Sequence, residues 1–279
     1  TSQGRVSCRH CYPGKVGLVR LAADTLGLTP DEGAAFILND SGGRLPGPGT
    51  AVTARITGRT PDAYRCTVYD PVTGQAHQAV LPTHAFWESP RNQLFSRLTK
   101  GDHVVALVLD EPWDGALTLS LTSPDLVERV LAGFVPELTT GDVVITRIAR
   151  VAGALTKIAA APTRPASSVR GAFVGRDAER IRGAQRLLSG GRSEEKFEVI
   201  AHSSDQRTLL VNALVYAEPT GILIDRQRAV VAVPHHQVRS AIGRGGLNAE
   251  LAGRLTGLYV RIVPAGSDLR QEMDAALGD

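Results

Sequence analysis

The chain has 279 residues, 43% of them apolar, with 29 glycines, 16 prolines and a formal net charge of +3. That size holds more than one buried core, no apolar run approaches the ~20 residues of a membrane span, and three cysteines are too few for a disulfide scaffold. The mild charge permits a nucleic-acid partner without demanding one, so any basic surface has to be local; the opening TSQGRVSCRHC shows no signal peptide, and the few, oddly placed cysteines make a reducing cytoplasm the expected location.

Residues 1–47 read as a short helical head. KVGLVRLAADTLGL has helical spacing, and Thr29-Pro30-Asp31-Glu32 has the form of a capping box with proline in the first turn of a second short helix. SGGRLPGPG, 41 to 49, is a linker. Cys8 and Cys11, with His10 between them, have the spacing of half a zinc site, but a second ligand pair is missing, so no metal and no cofactor are expected.

Residues 48–122 alternate short β-prone runs with turns: TAVTARITG, YRCTVYD, QAHQAVLP, DHVVALVLD and ALTLSLT. DPVTG and EPWDG make tight turns, and the longer THAFWESPRNQLFSRLTKG separates the third strand from the fourth. Five strands with one long crossover predict an OB barrel, an oligonucleotide-binding architecture. Tyr64, Arg65, Tyr69 and His77 offer stacking partners for bases if they face outward. In the competing reading, alternate members of that set fill the core, as Cys66 does by its place in the alternation.

Residues 123–201 and 202–264 repeat one unit. At a constant offset of 68, Gly175 meets Gly243, Arg176 meets Arg244, Arg186 meets Arg254 and Leu187 meets Leu255. Each copy runs helix, strand, strand, helix, Gly-x-x-Gly, helix, strand: SPDLVERVLAGF, DVVITRIARV, LTKIAAA, VGRDAERIRGAQRLLSG and EKFEVIA in the first, SDQRTLLVNALVYA, TGILID, RAVVAVP, IGRGGLNAELAGRLTG and LYVRIVP in the second. In the second copy Gly243, Gly245 and Gly246 remove every Cβ from the joint except that of Arg244, just before a helix carried by Leu247, Leu251 and Leu255. A bare backbone at a helix N-terminus beside an arginine is suited to a phosphate.

The first copy reads Gly175-Arg176-Asp177-Ala178. Alanine held at positive φ costs on the order of 1 kcal/mol, and the aspartate repels phosphate, so the first unit is expected to be mainly a structural partner. Lys157, Arg150, Arg170, Arg180 and Arg239 are candidate phosphate-backbone contacts. His235-His236 reads as a helix start rather than a ligand pair, because adjacent helical residues point apart. The tail, 265–279, holds a short helix in GSDLRQEMDAALGD.

The repeated order resembles a KH domain of the bacterial, type II topology, whose Gly-x-x-Gly loop clamps the backbone of single-stranded nucleic acid. The 5% aromatic content fits that and argues against an RRM, which stacks bases on aromatics. A barrel of the ribosomal protein S-one class followed by two KH modules resembles the bacterial NusA family, through AVLP (79–82), LSLTSPDLVERVLAGFVPEL (119–138), TKIAAA (156–161), VRGAFVG (169–175), VNALVYAEP (211–219) and AIGRGGLNAELAGRLTG.

The resemblance implies an α+β multidomain chain and a transcription factor that binds single-stranded nascent RNA and modulates pausing, termination or antitermination. RNA polymerase would be a second partner. It also implies that the loop glycines, Arg244 and Asn248 face RNA. Three departures stand beside it: a head shorter than the family's polymerase-binding domain, Pro234-His235-His236 where proline and an acidic residue open the helix, and a second barrel strand without the usual glycines and aromatics. The alternative expectation is a free-standing RNA-binding regulator. No convergent set of nucleophile, base and oxyanion donors points to an enzyme.

Overall fold

The computed structural model describes residues 47–69, 75–83, 98–164, 168–175, 178–189 and 195–275. The helical head, Cys8, His10 and Cys11, the middle of the long barrel connection, and Arg176 with Asp177 lie outside the described residues. The chain divides into two compact units, with the helices of the first repeat mainly in one and its strands mainly in the other.

In the first unit β1 (Ala51–Arg59), β2 (Ala63–Tyr69), β3 (Ala76–Pro82), β4 (His103–Val108) and β5 (Leu117–Ser120) close a barrel in the order β1-β2-β3-β5-β4. The β3–β5 pair is parallel and the other pairs are antiparallel. Closure leaves no edge strand, which removes the main aggregation liability of a small sheet. Alternation puts Ala54, Ile56, Cys66, Val68, Leu81, Val104, Ala106 and Leu119 into one core. Burial pushes the Cys66 thiol up to about 12, so it behaves there as a small apolar side chain.

Helix α1 (Pro124–Phe134) starts where expected: Ser123 Oγ accepts from Asp125 N at 3.1 Å, and proline occupies the first turn. Its buried face is Leu126, Val127, Val130 and Leu131. After α2 (Pro136–Thr139) and α3 (Val169–Val174), α4 (Glu179–Ser189) packs on α1. Gly183 permits that approach, since a Cβ there would sit 2.5 Å from the Phe134 ring.

In the second unit β6 (Val143–Val151), β7 (Leu155–Pro162) and β8 (Lys196–Ala201) form a sheet in the order β6-β7-β8. Helix α5 (Gln206–Ala213) is capped by Asp205, which accepts from Thr208 N at 2.8 Å and from Thr208 Oγ1 at 2.6 Å. Those bonds, the side-chain one first, lower the Asp205 carboxyl below its ordinary value.

Strands β9 (Gly221–Asp225) and β10 (Arg228–Val233) lead through a 3-10 turn at His235–Gln237 into α6 (Val238–Ile242), and the chain returns through α7 (Leu247–Thr256) to β11 (Tyr259–Pro264). β10 pairs antiparallel with β9 and parallel with β11, and the helical crossover between β10 and β11 is what a parallel pair requires. The apolar run of β10 is buried along nearly its whole length, as in a strand covered on both faces. On one face α8 (Leu269–Ala275) lays Leu269 and Met273 against Leu223, Val230, Ala232 and Val263. The helix–strand–strand–helix–helix–strand order read from the repeat is present in both copies. Among the described residues no helix is long and apolar enough to cross a membrane.

Candidate nucleic-acid interface

Helix α6 ends because Gly243 turns to φ 78, with its N–H still donating to Arg239 O at 3.0 Å. Gly245 follows at φ 58 and Gly246 at φ 85, so three of the four loop positions are left-handed and Arg244 alone is not. Gly243 is excluded from being anything else twice over: a Cβ there would lie 2.7 Å from Asn248 Cβ and 2.8 Å from Asn248 N. A Cβ at Gly246 would meet nothing within 4 Å, so that side of the loop opens outward. Gly245, Arg244 and Arg239 are exposed. The loop delivers the chain into the N-terminus of the ten-residue α7, where backbone N–H groups and the helix dipole favour an anion.

The first loop is built differently. Gly175 has φ 63, and Ala178 is held at φ 58, the strained alanine that the repeat alignment implied. Beneath Gly175 lies Arg180, whose Cδ would stand 3.0 Å from an added Cβ.

Several residues read as RNA contacts are committed elsewhere. Lys157 is wholly buried, and its Nζ donates to Glu198 Oε2 at 2.5 Å, Asn248 Oδ1 at 2.7 Å and Ala213 O at 2.8 Å. An ammonium stripped of water costs several kcal/mol unless it is paired and bonded, and three acceptors match its three donors. Asn248 is likewise buried, which corrects the expectation that it faces RNA. Arg150, 7% exposed, presents little to solvent. Arg180 Nη1 binds both Glu137 oxygens at 2.8 and 2.9 Å and Ala172 O at 2.7 Å.

Tyr64 is corrected too. It shares a barrel-facing parity with Cys66 and Val68, lies in the core, and is covered by Arg59 at 5.2 Å from its ring centre. The outward members of β2 are Arg65 and Tyr69, the latter 53% exposed, while His77 is half-buried. Arg170 is exposed.

A groove of about 830 Å³ runs between α7 and β11, lined among others by Arg228, Gly253, Arg254, Tyr259 and Arg261. Tyr259 is 76% exposed at its rim, and sequence reading passed over it. The alternation of LYVRIVP places Tyr259 and Arg261 on one face, the signal by which the sequence could have shown them. Arg254 pairs with Glu250 at 2.8 Å and Arg261 with Glu272 at 2.8 Å. The Nη1 of Arg228 is buried without a hydrogen-bond partner among the described residues. Among those residues, no three His, Cys, Asp or Glu side chains cluster to hold a metal.

A glycine loop joining two helices, set against a sheet whose last strand is parallel to its neighbour, defines a KH module, and the chain has two. The NusA-like first KH domain family matches residues 121–201 and the NusA-like second KH domain family matches residues 206–268, so the chain carries the tandem KH region of NusA-type proteins behind a closed five-stranded barrel.

Among curated proteins, it is 38% identical over 149 residues to the transcription termination/antitermination protein NusA of Mycobacterium tuberculosis (strain ATCC 25618 / H37Rv), covering 52% of this chain and 42% of that one. The protein of the same name from Thermus thermophilus is 34% identical over 164 residues (58% and 41%), and that of Bacillus subtilis 31% over 159 (56% and 40%). The chain thus spans about two fifths of the length of these relatives.

Proposed function

We propose that this protein binds single-stranded RNA through the second KH loop and acts on nascent transcripts at RNA polymerase, modulating pausing, termination or antitermination. What carries the reading is the loop at 243–246: three left-handed glycines, exposed Arg244 and Arg239, and an opening beside Gly246 at a helix N-terminus. Phosphates approach the side-chain-poor backbone between Gly243 and Gly246 while Arg244 and Arg239 supply charge. Bases splay into the groove beside Tyr259, which offers a stacking face.

Gly175 and Arg176 form a subsidiary contact, weakened by the carboxylate and the strained alanine that follow them. Arg65 and Tyr69 give the barrel a second RNA-facing strand. The names of the matched relatives place them in transcription termination and antitermination, and this chain is read as working in the same process in the cytoplasm, as a binding protein and not an enzyme.

Affinity capture of the tagged protein from a native bacterial lysate tests this. RNA polymerase recovered together with nascent RNA is expected. RNA recovered with no polymerase supports a free-standing regulator instead, and recovery of neither overturns the reading.

A further inference from the structure

We propose that Lys157, on a strand of the first KH module, is a positioning residue for the RNA-binding loop of the second. The inference rests on the loop reading given above and deepens it. Asn248 sits directly under Gly243 and ties the two helices of the loop together. Its Nδ2 donates to Ala241 O at 2.9 Å and to Ser240 O at 3.4 Å, closing carbonyls that the end of α6 leaves without intrahelical partners.

The direction of that amide is not free. Lys157 Nζ has only protons to offer, so the group facing it at 2.7 Å has to be Oδ1, and Nδ2 is thereby turned toward α6. Lys157 is in turn fixed by Glu198 and by Ala213 O, and the second oxygen of Glu198 accepts from Tyr216 Oη at 2.8 Å. A buried chain of bonds therefore runs from β7 and β8 to the base of the glycine loop.

The repeat shows the same device in its other form. At the offset of 68, Arg180 occupies the place of Asn248 and Ala172 that of Ser240. Arg180 lies under Gly175, donates to Ala172 O at 2.7 Å, and is held by Glu137. In the first module the side chain under the glycine brings its own charge. In the second it is a neutral amide, and the charge that orients it comes from the preceding module. That gives the first module a role independent of its own weakened loop.

The test uses the full chain and a short single-stranded RNA of mixed sequence, with amide NMR shifts of Gly243, Gly245 and Gly246 read in the RNA-free protein. Removing Lys157 alone leaves Glu198 buried and unpaired, so Lys157→Met is combined with Glu198→Gln. Asn248→Asp serves as the second variant: it keeps an acceptor for the ammonium and loses the donor to α6. Both are expected to move the three glycine amides and to weaken RNA roughly tenfold, the scale of one lost hydrogen bond to a charged ligand. In a cycle with Gly245→Asp, the combined loss is expected to fall short of the sum of the single losses.

Folded variants whose loop amides stay in place overturn the proposal, as does a loss fully additive with that of Gly245→Asp. The amide shifts judge Lys157 even if RNA fails to bind the unmodified protein, a result that would count against the RNA reading alone.

Discussion

At Gly245 the backbone sits at φ 58 and the residue is exposed, so a side chain there meets both strain and the incoming ligand. Gly245→Asp puts a carboxylate beside Arg244, where phosphate is expected. The loss should be about 1–3 kcal/mol of binding, 10- to 100-fold in affinity, measured by fluorescence anisotropy with the thermal transition checked in parallel. The reverse change, Asp177→Gly with Ala178→Gly, should strengthen binding, since Ala178 already holds a left-handed φ of 58 that glycine adopts without strain.

Cys66 makes a prediction of a different kind. Its thiol, raised from 9.0 to about 12 by burial, should resist thiol reagents at neutral pH until the barrel unfolds. Above pH 9 the unfolded chain releases this proton while the folded chain keeps it. Stability is therefore expected to fall as pH climbs from about 9 toward 12, and denaturant titrations across that range check the sign.

Among the elements, the α1–α4 packing turns on a single glycine. Alanine in the middle of a helix gains roughly 0.5–1 kcal/mol over glycine, but at Gly183 its Cβ would come within 2.5 Å of the Phe134 ring. Overpacking of a close helix contact costs about 1–3 kcal/mol, so the clash outweighs the propensity. Gly183→Ala should lower Tm, and trimming the ring as well, Gly183→Ala with Phe134→Leu, should recover part of the loss.

Element existence was largely legible in the chain: α1 begins one residue after its capping serine, and each of the five barrel strands falls within its β-prone run or overruns it by one residue, β1 running on to Arg59 and β2 starting at Ala63. Their facing was less so. Tyr64 and Arg65 are neighbours on β2, and assigning both to RNA contradicts the period of two that puts Tyr64 with Cys66 in the core. SDQRTLLVNALVYA yields a helix that stops at Ala213, short of the periodic run, where Leu214 leaves the helical region at φ −86 and ψ 50.

For the whole molecule, a net charge of +3 spread over 279 residues leaves RNA binding to local arginines. With Arg239 and Arg244 at the second loop and Arg65 on the barrel, affinity for single-stranded RNA should fall by roughly 0.7 log units per log of salt for each phosphate neutralised. A binding curve unchanged from low to physiological salt would remove the electrostatic part of the reading. Substituting Arg244 by alanine should weaken binding to all sequences alike and flatten the slope by about one contact.

Read alone, the chain determined the two repeated modules, the positions of their glycine loops, and the inequality between those loops. These depend on local rules: strand and helix periods, and the readiness of glycine to adopt positive φ where Ala178 is strained. Only the tertiary structure decided which charges meet solvent. Lys157 finds its acceptors 41, 56 and 91 residues away, on Glu198, Ala213 and Asn248. No local pattern separates such a lysine from an exposed one. Tyr259 is the opposite case: it stands 76% exposed on β11, which among the described residues pairs with β10 alone. Burial is set by what the distant chain brings alongside a residue, and for that reason the loops could be read in sequence while the side chains that hold them could not.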